Sequence, residues 1–470
     1  MMLKDDPKEG ADRYLFLGFL LLLVWLPLPV GSNHLWAWSF FEVGVFALAI
    51  YWLVLFTLGK VSTTLTFRKA WPALFMFAMV LLWSVLQIAP LPPSLIALLS
   101  PDGAEIYIHT NTNATLSLDP AAGRAAVLKT LAYGLLFALT LLVVNQLYRL
   151  RLVMLVLIFS GVFQATFGSL MTLSGLEYGF FISKAHNIGV ATGTFVNPNH
   201  LAGYLEMCLA LGVGMVLADI TTTPSSSWRE SVRRLLNTLL NDKGRVRIAL
   251  IIMVIGLVLS KSRMGNIAFF TSLLVAGGYY IVVGRRVSSG IIAFFVSILL
   301  VDILIVGNIF GINNVAEEIW QTSVATEASR IDVGRDTLNM IRDYPLTGTG
   351  AGSFASTLPM YDSGNIGFWH YKYAHNDYLQ FAAELGLPGL AMLAGVVLLS
   401  LWHAARAQLI PNDQMTSGMG CGVLMAIIAL LIHITVDFNL QIPANAATFV
   451  VILAMAWHTR WLAEDEARTY

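Results

Sequence analysis

Residues 418–438 read GMGCGVLMAIIALLIHITVDF. No charged side chain occurs between Gly418 and Ile432, and about 20 apolar residues are what an α-helix needs to cross a hydrocarbon core roughly 30 Å thick. The run closes on His433 and Asp437, one turn apart on one face if the helix continues, followed by Asn439, Gln441 and Asn445. Ionisable groups at membrane depth point to function by default, with the partner named here by spacing. A polar pair that merely holds helices together is the alternative.

Eleven further stretches resemble this one: 14–30, 36–58, 71–89, 125–146, 152–173, 199–218, 246–260, 266–283, 291–308, 387–402 and 446–462. The expected fold is all-α, a polytopic membrane protein of about 12 transmembrane helices. Nine helices are expected within 1–308, a large loop with short helices and the catalytic groups at 309–386, and three helices within 387–470. The 470 residues are 57% hydrophobic and 12% charged, against about 25% charged in soluble domains, which excludes a soluble enzyme. Twenty-eight basic residues balance 28 acidic ones. Bulk attraction for nucleic acid is therefore absent, and anion recognition must be local. Cys208 and Cys421 lie in apolar runs and define neither a disulfide framework nor a metal site.

The first span resembles a signal peptide in length, but acidic and basic residues mix before it and no small-residue cleavage site follows Val30. It reads as a span. Placing the N-terminus in the cytoplasm puts most Lys and Arg on that side, as the positive-inside rule requires, with both termini cytoplasmic. The exceptions are Arg124, Lys129, Lys184, Lys261, Arg263, Arg330, Arg335, Arg342 and Lys372. Outward positive charge in a short loop opposes that rule, and Lys261 with Arg263 is the clearest case. Snorkelling to headgroups is the bland explanation.

Outward segments occupy about 90–124 and 309–386. In the second, SRIDVGRDTLNMIRDY (329–344) reads as a helix stopped by Pro345. Arg335 and Arg342 share one edge while Arg330 lies more than about 100° away, so one helix presents two basic sites. Farther on, His375 and Asn376 precede a helix that Gly386 and Pro388 end before the tenth span, with Asn376 a natural N-cap. The dipole at such a terminus keeps an imidazole neutral and able to accept a proton. Asp377, Gln380 and Glu384 form a stripe that reads as a solvated or headgroup-facing edge, and Glu384 faces away from His375 on a regular helix. Asn197, Asn199 and His200 sit at the outer end of the sixth span, where they bind sugar hydroxyls or phosphate, or simply cap the helix. GTGAG (348–352) lacks the Lys and Ser/Thr of a phosphate loop and reads as a turn. No zinc-binding frame surrounds His370 and His375, so no metal and no cofactor is expected.

Two forked guanidinium groups suit a lipid-borne diphosphate, which leaves as a stabilised anion; the remaining task is to deprotonate an attacking hydroxyl. The stretches TGTFVNPNHLAGYLE (192–206), LSKSRMGN (259–266), ASRIDVGRDTLNMIRDYPLTGTGAGSF (328–354), AHNDYLQFAAELGLPGL (374–390) and HITVDFNLQIPANA (433–446) resemble the O-antigen ligase and polymerase superfamily. The resemblance implies a multi-pass protein of the bacterial inner membrane, with a large periplasmic loop over its catalytic cavity and an active site facing the periplasm. It implies glycan transfer from undecaprenyl diphosphate to an acceptor hydroxyl, onto lipid A-core in ligases or onto another repeat unit in polymerases. Related members glycosylate protein. Carried over by motif, Arg263 and Arg330 hold the diphosphate and His375 is the base, in a metal-independent single displacement with inversion. Lys261 joins the diphosphate clamp, and Asn197, Asn199, His200, Asn376, His433 and Asp437 support it or bind glycan. Membrane lipids are further partners; nucleic acid is not. A transporter or flippase of lipid-linked glycans is the rival of another class, disfavoured because polar groups crowd the outer rim and no repeat is visible.

Overall fold

The computed structural model describes residues 10–108, 114–180, 182–219, 242–283, 291, 295–297, 323–362, 371–410 and 413–469. The expected ninth span at 291–308, residues 309–322 of the outward loop and His370 lie largely or wholly outside them. The described chain is helical apart from a hairpin that pairs Tyr178–Gly179 with Ile182–Ser183.

Helices α1 (Arg13–Trp25) and α2 (Leu35–Thr57) are followed by α3 (Leu65–Lys69) and α4 (Trp71–Ile88). The outward segment 90–124 folds into α5 (Pro93–Leu99), α6 (Pro101–Ile108) and the start of α7 (Pro120–Val143). Next come α8 (Leu147–Leu173), α9 (Pro198–Asp219), α10 (Asp242–Leu259) and α11 (Arg263–Val282). The catalytic loop expected from sequence contains α12 (Ser323–Asp343) and α13 (Phe354–Thr357). The chain ends with α14 (Asp377–Ala407), α15 (Gln414–His433) and α16 (Pro443–Thr469).

Among the described residues, eight helices are long and apolar enough to cross a membrane: α2, α4, α7, α8, α9, α11, α14 and α15. The first expected span is a 13-residue helix, cut short by Pro27 and Pro29. The stretches 246–260 and 446–462 fall inside α10 and α16, which are helical but not among the eight.

The bundle centre is α9, almost wholly buried, with α15 packed along its length. Close approach comes from small residues: a Cβ on Gly214 would lie 2.7 Å from the Gly422 backbone. This is how apolar helices associate where lipid removes the hydrophobic incentive. Ion pairs mark one end of the bundle, Arg149 with Asp12 at 2.6 Å and Arg151 with Asp219 at 3.0 Å. At the other end the outward segments are stitched together. Leu118 N–H donates to Thr349 O, and Gln87 Nε2 donates to the carbonyls of Thr347 and Glu384.

That stitching explains GTGAG. Gly348 has a φ of 63° and Gly386 one of 69°, and the two turns back onto each other so closely that a Cβ on Gly348 would run into the Glu384 carbonyl. Gly386 also interrupts α14 just before Pro388, where the sequence places the end of the short helix. The turn is a clasp that fastens the loop helices to α14.

Candidate functional site

The site is built on Phe438, in the link between α15 and α16. His375 packs edge-on to its ring at 4.8 Å between centroids, His200 does so at 4.7 Å, and Tyr373 stacks at 4.5 Å. His200 comes from the first turn of α9 and His375 from the residue pair before α14. Residues 175 positions apart thus share one aromatic spacer.

His375 is held by its neighbours. Asn376 caps α14 by accepting from Leu379 N–H at 3.1 Å, and its Nδ2 donates to Thr435 O at 2.9 Å. Asp377 N–H donates to Ile434 O. His375 itself has a φ of 53°, a left-handed conformation that costs a non-glycine residue about 1–2 kcal/mol and that these bonds enforce. Its Nδ1 is buried without a hydrogen-bond partner among the described residues.

Burial, the Arg330 charge and His200 together push the imidazole pKa down to about 4, against the opposing charge of Asp437. His375 is therefore neutral near pH 7, as the sequence predicts, with burial the largest cause and the Arg330 charge adding to it. Arg330, half-buried on α12, is near enough for its charge to act on His375. Asp437 Oδ1 lies 3.7 Å from His200 Nε2, an ionic contact rather than a hydrogen bond. Burial raises the Asp437 carboxyl, but His200, His433 and the Phe438 amide together hold it well below the usual carboxylate range.

Two sequence expectations need correction. His433 and Asp437 do not pair through helical spacing, because α15 ends at His433 and Asp437 lies in the following link. His433 Nδ1 instead sits 3.1 Å from Glu206 of α9, both side chains fully buried. The stripe Asp377, Gln380 and Glu384 is buried rather than solvated. Asp377 accepts from Gln441 Nε2 at 2.9 Å and Leu440 N–H at 2.8 Å, while Glu384 accepts from Gly352 N–H at 2.9 Å and Gln380 Nε2 at 3.2 Å.

Arg263 and Lys261 are exposed at the start of α11. Ser262 caps that helix by accepting from Gly265 N–H, and Lys261 takes a φ of 53°. A Cβ on Gly265 would lie 3.4 Å from His433 Cε1, so this turn adjoins the Glu206–His433 pair. Among the described residues no carboxylate forms an ion pair with Arg263, Arg330 or Lys261. Other cations expected to face outward have partners: Lys184 lies 2.7 Å from Glu177 and Arg335 3.4 Å from Asp332. Asn197 is a capping residue, its Oδ1 accepting from Asn199 N–H at 2.9 Å. Asn445 ties the cluster to α16, donating to the His200 and Asn439 oxygens.

A cavity of about 580 Å³ lies between α2, α4, α7, α14 and α16. None of the site residues expected from sequence lines it. It meets their cluster through Tyr373 and Gln441, the first stacked on Phe438 and the second bonded to Asp377. Sequence reasoning missed Glu206 and Lys129 as well as the buried roles of Asp377 and Glu384. An acidic residue inside the apolar run of α9 was the signal available for Glu206.

A search of curated proteins returned no match. A family model described as O-Antigen ligase matches residues 248–394. That segment contains Lys261, Arg263, Arg330, His375 and the clasp at Gly348. Residues 248–394 are thus similar to the O-antigen ligase family, in a chain whose described residues include eight helices long and apolar enough to cross a membrane.

Proposed function

We propose that the protein transfers a glycan from undecaprenyl diphosphate to an acceptor hydroxyl at the periplasmic face of the bacterial inner membrane, as an O-antigen ligase acting on lipid A-core. The observation that carries this reading is a buried, neutral His375 with an unpartnered Nδ1, within electrostatic reach of Arg330. A buried base next to a guanidinium is what attack on a lipid-linked diphosphate sugar requires.

Arg330, with Arg263 and Lys261, binds the diphosphate oxygens and stabilises the charge that develops as the bond breaks. His375 takes the proton of the acceptor hydroxyl as its oxygen attacks the anomeric carbon. The carbon–oxygen bond to the diphosphate breaks, the lipid diphosphate leaves as an anion, and configuration inverts in a single displacement. The proton on His375 then passes to water. Phe438, His200 and Asp437 fix the imidazole, with Asp437 stabilising the imidazolium formed in the step. No step calls on a metal or other cofactor.

Reconstitution with the lipid-linked glycan and three separate acceptors, lipid A-core, a second repeat unit and an acceptor protein, tests the reading. Transfer to lipid A-core that His375→Ala abolishes while donor binding persists is the expected result. Turnover by His375→Ala near the parent rate removes the base role, and transfer only to repeat unit or protein changes the acceptor.

A further inference from the structure

The hairpin between α8 and α9 folds back along α8. Phe180, at its tip, packs edge-on against Phe167 and Phe163, with ring centroids 5.7 and 6.0 Å apart. Steps of four and three residues put those two rings on one face of α8 with Phe159 and Leu170, and both of the latter are exposed. The opposite face, with Gly161, Gln164, Ala165 and Gly168, is buried in the bundle. On a helix long and apolar enough to cross the membrane, the exposed face is the one that meets lipid.

Charge fixes the depth. Arg149 and Arg151 open α8, and no further charged residue occurs before Glu177. With Arg151 at one border of the hydrocarbon, about 20 residues at about 1.5 Å each span a core of roughly 30 Å and set the other border near Met171. Phe167 then lies about 6 Å and Phe163 about 12 Å inside that border, and Phe180 lies with them. A strand rise of about 3.3 Å puts Glu177, three residues from the tip, roughly 10 Å higher, at the border itself.

The hairpin's composition suits that depth. Its ion pair is closed on itself: Lys184 Nζ lies 2.7 Å from Glu177 Oε2 and donates to Val190 O at 2.9 Å, while Gly189 N–H donates to Glu177 Oε1 at 2.8 Å. Both charged side chains are shielded, so neither is left unpaired near hydrocarbon. Among the described residues Leu176, Tyr178, Phe180 and Ile188 are exposed instead, and a tyrosine is at home where an apolar ring meets lipid and its hydroxyl meets water. A two-stranded hairpin alone is marginal in water; here α8 supports one side, and hydrocarbon completes the other. The base is fastened to the bundle, Ala191 N–H donating to Leu259 O, two residues before Lys261, and Asn187 Nδ2 to Val196 O.

We propose that this hairpin is a re-entrant membrane anchor, its tip inserted into the hydrocarbon of the leaflet on the His375 side and its ion pair at the headgroup border. The partner is the acyl region of that leaflet, neither a glycan nor a second protein. The assignment rests on the fold and is independent of the transferase reading.

Collisional relaxation of nitroxide labels tests it on the full chain in phosphatidylcholine nanodiscs. Cys208 and Cys421 are both buried, so a single introduced cysteine carries the label. Phe159→Cys is the hydrocarbon reference, and His186→Cys, at an exposed position beyond the ion pair, is the aqueous one. Phe180→Cys should give a ratio of oxygen to nickel-chelate accessibility at least tenfold above that of His186→Cys, approaching Phe159→Cys. Because this substitution removes a ring that packs on α8, Tyr178→Cys provides a second site with the Phe180 contacts intact, and its ratio should fall between the two references. Nickel accessibility at 178 and 180 equal to that at 186 would place the hairpin in water and overturn the proposal. Labels at 178 and 180 shielded from oxygen and nickel alike would reveal a protein cover and overturn it equally.

Discussion

Replacing Arg330 with Gln and Asp437 with Asn should move one acid limb in opposite directions. His375 titrates at about 4 against an ordinary 6.5, a gap of about 2.5 that corresponds to about 3 kcal/mol against its protonated form. A base works deprotonated, so the acceptor-proton step is active above that value and is lost as pH falls through it. In the parent, kcat/KM for transfer should be flat from pH 6 to 8 and fall with an apparent pKa near 4. Burial is the largest cause of the shift and survives either substitution. Arg330→Gln removes the cation that disfavours a second positive charge, so the limb should rise above 4 yet stay below 6.5, along with a loss in rate from the weakened diphosphate site. Asp437→Asn removes the anion that favours protonation, so the limb should fall below 4. Initial rates of glycan transfer in proteoliposomes, with the same pH on both faces, supply the measurement. Limbs that move the same way in both variants, or a parent limb near 6.5, would refute the assignment of His375 to a buried position between these charges. The same gap bears on stability. Between pH 6.5 and 4 the unfolded chain binds a proton that the folded one refuses, so His375 contributes nothing unfavourable above 6.5 and destabilises the fold as pH drops through that window.

Other substitutions probe the remaining parts. Arg263→Lys keeps charge but loses the planar fork, and transfer should fall at least tenfold with expression unchanged; parent rates would show that charge alone suffices. Gly348→Ala should cost at least about 1–2 kcal/mol from its left-handed backbone, plus the collision with the Glu384 carbonyl, and lower the thermal midpoint. Gly334→Ala on α12, where a Cβ meets nothing within 4 Å, should be neutral or slightly stabilising. Asp12→Ala strands the buried Arg149 guanidinium, bonded twice to that carboxylate at 2.6 and 2.8 Å, and should destabilise by about 3–5 kcal/mol in a detergent melt. A midpoint unmoved by Asp12→Ala would mean that the pair is dispensable.

What could be read from sequence, and what could not, divides by the distance over which each contact is made. Hydropathy is local, so α2, α4, α7, α8, α9, α11, α14 and α15 fall on expected stretches. Capping is local too: Asn376 caps the helix it precedes, as expected, and Gly386 breaks α14 ahead of Pro388. The stripe on α14 fails for the opposite reason. Its solvated reading assumed that polar residues on a loop helix have only water to meet, whereas Asp377 is satisfied by Gln441, 64 positions away, and Glu384 by Gly352, 32 positions away. A short apolar run does not disclose partners of that kind.

The exchange of partners at the end of α15 is the more instructive failure, because it alters the chemistry assigned. Helical spacing joins His433 to Asp437 only if the helix continues, and it stops at His433. The chain then turns, and one acid is divided from its expected base. His433 sinks against Glu206 in the bundle centre, where both side chains have no exposure, too deep for either to meet a headgroup diphosphate directly. Asp437 swings out with Phe438 toward His200 and His375. The turn thus separates a pair that locks α9 to α15 from an acid that faces His200 and acts on the proposed base, and the first turn of α11, with Arg263, rests on the locked pair through Gly265. On this arrangement Glu206→Gln should act through position rather than through proton transfer. Loosening the pair lets α11 shift, so the donor KM should rise while the acid limb set by His375 stays near 4. A limb displaced by Glu206→Gln with donor KM unchanged would instead place the buried pair in the proton path.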